Sequence, residues 1–205
     1  MNKYFPLKSR IVEVALEQFL KHGIRSMTIK KLIEPMGIST KTVYKYFESK
    51  EDLLAECLRV LYGGYHNEFV AILSIDQSPV NHLLLIFRSA LVKDFGVNQD
   101  FFHDLNYYYP ELQNAAIKYY SENYPQLMVP LIQKGIEEGY FHPFVVPEVV
   151  LSGIMVLYTS ITRPEDKKRP DNPYQLFKNL VEVYIRGMCT EKGLTEIERN
   201  PYHND

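Results

Sequence analysis

Cysteine is nearly absent from this 205-residue chain: Cys57 and Cys189 are the only two, they lie far apart, and they match no metal or redox spacing. A disulfide framework is thereby excluded, and both thiols read as buried and reduced. A membrane-spanning run is missing as well. The longest apolar candidate, Val145 to Ile161, is broken by Pro147, Glu148, Ser152 and Gly153, well short of the ~18 uninterrupted apolar residues a span requires. The N-terminus, MNKYFPLKSR, has no apolar core of a secretory signal, so a cytoplasmic location is expected. Also missing are a nucleophile elbow and a phosphate-binding glycine loop. His103 and Asp104 are adjacent and splay apart on a helix, while His22, His66, His82 and His142 lack a ligand-type residue three or four positions on. No enzyme, cofactor or metal is therefore expected. Finally, the chain has little net charge, −2 from 23 Lys and Arg against 25 Asp and Glu.

That average conceals an asymmetry. Residues 1–52 hold ten Lys and Arg against six Asp and Glu, a surplus of four positive charges, whereas residues 53–205 hold thirteen against nineteen. An N-terminal module that faces phosphate, followed by a body that does not, has this distribution. With 46% hydrophobic residues the chain also has ample material for a core.

The basic module is built around Thr28 to Lys50, TIKKLIEPMGISTKTVYKYFESK. Thr28 is a good N-cap, and Ile29, Leu32, Ile33 and Met36 repeat at the spacing of one buried helical face. Pro35 removes an N–H and biases Glu34 away from helical angles, and Gly37 can take positive φ, so the chain turns before Ile38. Ser39 can cap a second helix running to Phe47, with Val43 and Phe47 inward and Thr40, Lys41, Thr42, Tyr44, Lys45 and Tyr46 outward. Lysines neutralise phosphates and reach guanine edges, threonines donate or touch a thymine methyl, and tyrosyl hydroxyls reach backbone oxygens. The pattern is a helix-turn-helix, or a solvated pair of amphipathic helices. Pro6 and the apolar face of Ile11, Val12, Ala15, Leu16, Phe19 and Leu20 supply a supporting first helix.

Gly23, Thr28, Gly37, Ser39, Thr42, Tyr44, Tyr46, Phe47, Ser49, Lys50, Glu51 and Leu53 resemble the N-terminal signature of the tetracycline-repressor (TetR) family of transcriptional regulators. The resemblance covers roughly the first quarter of the chain. The chain departs from the family pattern at Ile33 and Met36, where small residues are usual, at Lys41, usually glycine, and at Pro35. Base preference is therefore not to be carried over. The resemblance implies an all-α protein with a three-helix DNA-binding domain over residues 1–50 and a helical effector-binding and dimerisation domain over 51–195. A frayed tail is expected over 196–205, and about nine helices in total.

Within that body, Ser49 and Asp52 form a capping box for a helix through Ile72, and Lys50 at its first turn makes a phosphate seat. Residues 101–124 hold eight Phe or Tyr, punctuated by Pro110 and Pro125, which predicts bent helical segments. Tyrosines offer an apolar ring with a polar tip, so Phe69, Phe95, Phe102, Tyr107, Tyr120, Tyr124 and Tyr158 are candidate ligand-lining residues, or ordinary core. The helices starting at Pro147 and Pro173 are apolar on two sides and need two partners, the core and a second subunit, or one subunit burying both. The resemblance favours pairing of residues 147–190 across a two-fold axis.

The expected function is a homodimeric DNA-binding regulator, a repressor released from a palindromic operator by a small-molecule effector. Thr28, Ser39, Thr40, Lys41, Thr42, Tyr44, Lys45, Tyr46 and Lys50 are the expected DNA contacts, with Lys41, Thr42 and Lys45 reading base edges. The alternatives are a constitutive DNA-binding dimer without effector, or a ligand- or protein-binding helical module that has lost DNA affinity.

Overall fold

The computed structural model describes residues 6–121, 124–162 and 172–199. Among them the chain is all-α, with one isolated antiparallel bridge between Phe141 and Cys189. It divides into two compact units with separate cores: the chain up to Gly64 together with Val97–Tyr120, and Tyr65–Gly96 together with the chain from Ser121 on.

The first unit contains α1 (Leu7–His22), α2 (Ile29–Ile33), α3 (Thr40–Val43), the first part of α4 (Lys50–Leu73), α6 (Gln99–Tyr108) and nearly all of α7 (Pro110–Ser121). Pro6 precedes α1, where its missing N–H costs nothing, and α1 ends on Gly23 at φ 77°. Ile11, Ala15 and Phe19 on α1 meet Leu32, Val43, Phe47, Leu53, Leu54 and Leu58 in one apolar core, which Phe101, Phe102 and Leu105 of α6 complete. Three short helices cannot enclose a dry core by themselves, so the later return of the chain at α6 is what closes it.

The second unit is assembled on α5 (Pro79–Gly96), which touches α8 (Tyr124–Glu137), α9 (Pro147–Thr162), α10 (Pro173–Leu176) and α12 (Glu191–Arg199). Asn172 starts α10, its carboxamide oxygen accepting from the N–H groups of Tyr174 (3.0 Å) and Gln175 (3.2 Å). A π-helical stretch, Phe177–Glu182, then joins α10 to α11 (Val183–Met188). The extra residue per turn there accompanies burial of Phe177, Val181 and Glu182, the last paired with Arg186 at 2.9 Å. Residues 163–171, whose charged sequence RPEDKKRPD predicts a solvated loop, lie outside the described residues.

The tail differs from expectation. Residues 196–199 are not frayed; they continue α12, because Ile197 is buried in the second core. Gly193 lies inside α12. A methyl group there would come within 2.3 Å of the Tyr140 carbonyl oxygen, so the glycine serves close packing. Residues 200–205 lie outside the described residues.

Candidate nucleic-acid interface

The local chemistry of residues 24–50 builds one face of the first unit. Thr28 takes extended angles, and its hydroxyl accepts from the Lys31 N–H at 3.3 Å, opening α2. Pro35 cuts α2 short, and Glu34–Met36 continue as a 3₁₀ turn. Gly37 then adopts left-handed angles, φ 64° and ψ 22°, which a side chain rarely tolerates. Ser39 caps α3, its hydroxyl accepting from the Thr42 N–H at 3.2 Å and lying 2.9 Å from the Thr42 hydroxyl.

The second helix is shorter than the Ser39 to Phe47 span expected from sequence. Its α-helical part is Thr40–Val43, after which Lys45 N–H bonds three residues back to Thr42 and Tyr46 N–H three back to Val43. Two threonines and a valine within four residues hold the helix weakly, and the chain tightens. The facing pattern survives this change. Val43 and Phe47 are buried, while Thr40, Lys41, Tyr44, Lys45 and Tyr46 are exposed, Tyr44 by 55% and Tyr46 by 41%. Thr28 and Ser39 are exposed as well, although both hydroxyls are engaged in capping, and Thr42 is half-buried with its hydroxyl against Ser39.

Lys50 stands apart from this group. Its ammonium turns inward and donates to the Ile24 carbonyl oxygen at 2.6 Å, close to the Phe19 ring. Burial lowers its pKa from the ordinary lysine value, with the nearby Glu51 and Asp104 carboxylates opposing the shift. It is thus first a brace between the start of α4 and the turn after α1. Sequence reasoning missed two further participants. Lys8 places a cation 5.3 Å from the centre of the Phe47 ring, at the end of the reading segment. Asp104 of α6 accepts from the backbone N–H groups of Ile24 and Arg25. No local signal links a residue to a turn eighty positions earlier, so neither could be found from spacing.

The aromatic candidates fall into different places. In the second unit, Phe69 and Tyr124 lie with ring centres 5.5 Å apart, and Tyr158 packs on Phe87 at 6.0 Å. Tyr158 and Tyr65 donate to the two oxygens of buried Asp94, at 2.7 and 2.5 Å. Phe95 packs against the same core. Phe102 belongs to the first core, edge-on to Phe101, and Tyr107 is 75% exposed and stacked on His103. The seven residues therefore do not form one cluster; the Tyr120 side chain lies outside the described residues. Among the described residues no three His, Cys, Asp or Glu are grouped to hold a metal ion, and no helix is long and apolar enough to cross a membrane.

Comparison with known proteins places this geometry. The family model for bacterial regulatory proteins of the tetR family matches residues 11–57, which span α1 to the first turns of α4. The HTH-type transcriptional repressor KstR2 of Mycobacterium tuberculosis is 24% identical over 143 residues, covering 66% of this chain and 70% of that protein. The HTH-type transcriptional regulator QacR of Staphylococcus aureus is 27% identical over 138 residues, covering 67% and 66%. A TetR/AcrR-family regulator of Thermobifida fusca, at 19% identity, shares the fold with a TM-score of 0.71 over 88% of this chain and 97% of that one. The signature residues, the capped and glycine-turned helix pair and the all-α fold agree with these matches: over residues 11–57 the chain is similar to the bacterial regulatory proteins of the tetR family, and it shares the all-α fold of the solved regulators.

Proposed function

We propose that the protein is a homodimeric transcriptional repressor that reads a palindromic operator and releases it when a small molecule binds. The observation that carries the DNA-binding part is the face of α3 and the turn after it. Two lysines, two tyrosines and a threonine point to solvent there, while the intervening Val43 and Phe47 anchor the segment in the core. Lys41 and Lys45 are assigned to base edges, and Thr40, Tyr44 and Tyr46 to the phosphate backbone. Thr42 is assigned to base edges too, with its hydroxyl shared between Ser39 and DNA. Lys50, Thr28 and Ser39 act chiefly by holding the reading segment in shape, with any phosphate contact secondary.

Dimerisation through residues 147–190 is supported by apolar side chains left at the surface of the second unit: Val149 and Val156 on α9, Leu180 in the π-helical stretch and Val183 on α11. An aliphatic stripe on two helices is the kind of surface that a second copy covers. Effector binding is supported by Phe69, Phe95, Tyr124 and Tyr158, which belong to or pack against one core, and by the buried Asp94 carboxylate that takes the Tyr65 and Tyr158 hydroxyls, a combination of apolar walls with a few placed polar groups. Helix α4 runs through Lys50–Leu73, so a ligand at Phe69 can act on the same helix that begins beside the reading segment. Release is a population shift whose extent equals the ligand's preference for the non-binding geometry, about 1 to 3 kcal/mol in typical cases.

Selection of bound duplexes from a random pool tests this. The expected product is an inverted repeat with half-sites roughly 34 to 36 Å apart or a multiple of it, bound with strong salt dependence. Enrichment of no sequence, or of a sequence without two-fold symmetry, would overturn the proposal.

A further inference from the structure

The turn between α1 and α2 aims the whole reading segment, and it is held by Lys50 and by groups of α6 that lie outside the DNA-binding motif. Ile24 is fully buried, and its peptide is gripped from both directions. Its N–H donates to the Asp104 carboxylate at 2.9 Å, and its carbonyl accepts from the Lys50 ammonium at 2.6 Å. The same Asp104 oxygen takes the Arg25 N–H at 2.8 Å. Further along α6, the Arg25 guanidinium lies 4.0 Å from the centre of the Tyr108 ring. At the start of α6, the Asn98 N–H donates to the Leu20 carbonyl at 2.8 Å, and its carboxamide donates to the Lys21 carbonyl at 3.1 Å. A methyl group on Gly23 would come within 2.9 Å of Asp100 Cβ, so backbone and helix are in close contact there too.

A carboxyl group that leaves water needs hydrogen-bond partners, and Asp104, 6% exposed, finds two donors on successive backbone N–H groups of one turn. Bonds of this kind fix direction as well as distance. Without the oxygen, two N–H groups of the turn, one of them buried, would lose their partner and the turn would relax toward water. Because α2 begins only four residues after Arg25, at Ile29, a change in the path of the turn tilts α2 and with it α3.

We infer that Asp104 is a positioning residue for DNA recognition: through the Ile24 and Arg25 N–H groups it fixes the turn that sets the angle at which α2 and α3 meet DNA. This rests on the DNA-binding reading above and adds to it a residue far outside the family motif. The role is distinct from stabilising the unit, because a tilted reading segment loses sequence-specific contacts while keeping its attraction for any phosphate backbone.

The test uses the full chain, the duplex selected by the wild-type protein and a scrambled duplex of the same length. Affinities are measured by fluorescence anisotropy at a temperature well below unfolding, with circular dichroism recorded on the same samples. Asp104→Ala is expected to weaken binding to the selected duplex about tenfold or more while leaving the scrambled duplex within about twofold. Asp104→Asn keeps an accepting oxygen at the same distance along the side chain and is expected to recover most of the lost specificity. If Asp104→Ala fails to fold, Asp104→Leu, which keeps the branched shape of the side chain and has no accepting oxygen, takes its place, with amide exchange recorded as well. Faster exchange at Ile24 and Arg25 together with a reduced specificity ratio supports the role, and an unchanged ratio overturns it. Equal loss on both duplexes, or a lowered unfolding temperature with an unchanged ratio, also overturns it. A wild-type chain that prefers no duplex sinks the DNA-binding reading itself, which is recognisable before any variant is made.

Discussion

At the scale of single residues, chemistry follows surroundings more than residue type. Lys41 and Lys50 are both lysines nine positions apart, yet one is exposed on α3 and the other has its ammonium on the Ile24 carbonyl. Lys50→Ala is expected to lower stability by about 1 to 2 kcal/mol, since a charge-assisted bond to a backbone carbonyl is lost, and to weaken the selected duplex more than a scrambled one. Lys41→Ala should leave stability within about 0.5 kcal/mol and change the preference among duplexes. Denaturant unfolding and competition binding measure both, and matching effects from the two variants would refute the division of labour. The cysteines illustrate the same point. Burial raises both thiol pKa values, that of Cys189 to about 12, so almost no thiolate exists near neutrality. Iodoacetamide at pH 8 should therefore leave the native protein unlabelled and label both positions once it is unfolded, as read by intact mass. Sequence alone indicated buried reduced thiols, because two cysteines far apart that match no metal or redox spacing leave no other common role. The Lys50 brace was not visible, because its acceptor lies 26 residues away on a turn.

At the scale of elements, the helix limits were legible where a local signal sets them and illegible where packing does. Thr28, Pro35, Gly37, Ser39 and Asn172 act through their own backbone or through neighbours within three residues, and the corresponding turns and caps stand where those residues predict them. By contrast, the π-helical stretch Phe177–Glu182 and the persistence of α12 past Gly193 depend on what lies against them. The reading helix was overestimated for a related reason: the outward pattern of Thr40 to Tyr46 continues through a 3₁₀ turn, so periodicity did not reveal the change of pitch. Close contact between elements gives a sharp expectation at Gly135 of α8. A methyl group there would stand 2.3 Å from the ring of Phe141, which is itself buried and cannot swing away. Gly135→Ala should cost about 1 to 3 kcal/mol despite alanine's better helix propensity, as read from the shift in denaturant midpoint. A stabilised variant would show that the Phe141 side chain relocates freely.

At the scale of the whole molecule, the aliphatic stripe of the second unit bears on the expected assembly. Val156 and Val183 are 69% and 57% exposed on α9 and α11, an arrangement that leaves large apolar side chains in water unless a second copy meets them. Val156→Glu combined with Val183→Glu is expected to convert a dimer into monomers in sedimentation velocity at micromolar concentration, and to reduce operator affinity at least tenfold by removing the second reading head. A dimer that survives the double substitution would place the interface elsewhere. The sequence by itself determined the two capped helices, the glycine turn between them and the outward lysines and tyrosines, since caps, turns and helical periodicity are encoded within a few neighbouring residues, while the family resemblance carried the all-α class and the helix-turn-helix reading. Only the tertiary structure decided that Val97–Tyr120 joins the N-terminal module, that Lys50 and Asp104 grip the turn at Ile24, and that the described aromatic candidates are divided among two cores and, for Tyr107, the surface. Those outcomes depend on which distant surfaces come to exclude water from one another, and the spacing of residues along a chain carries no record of that choice.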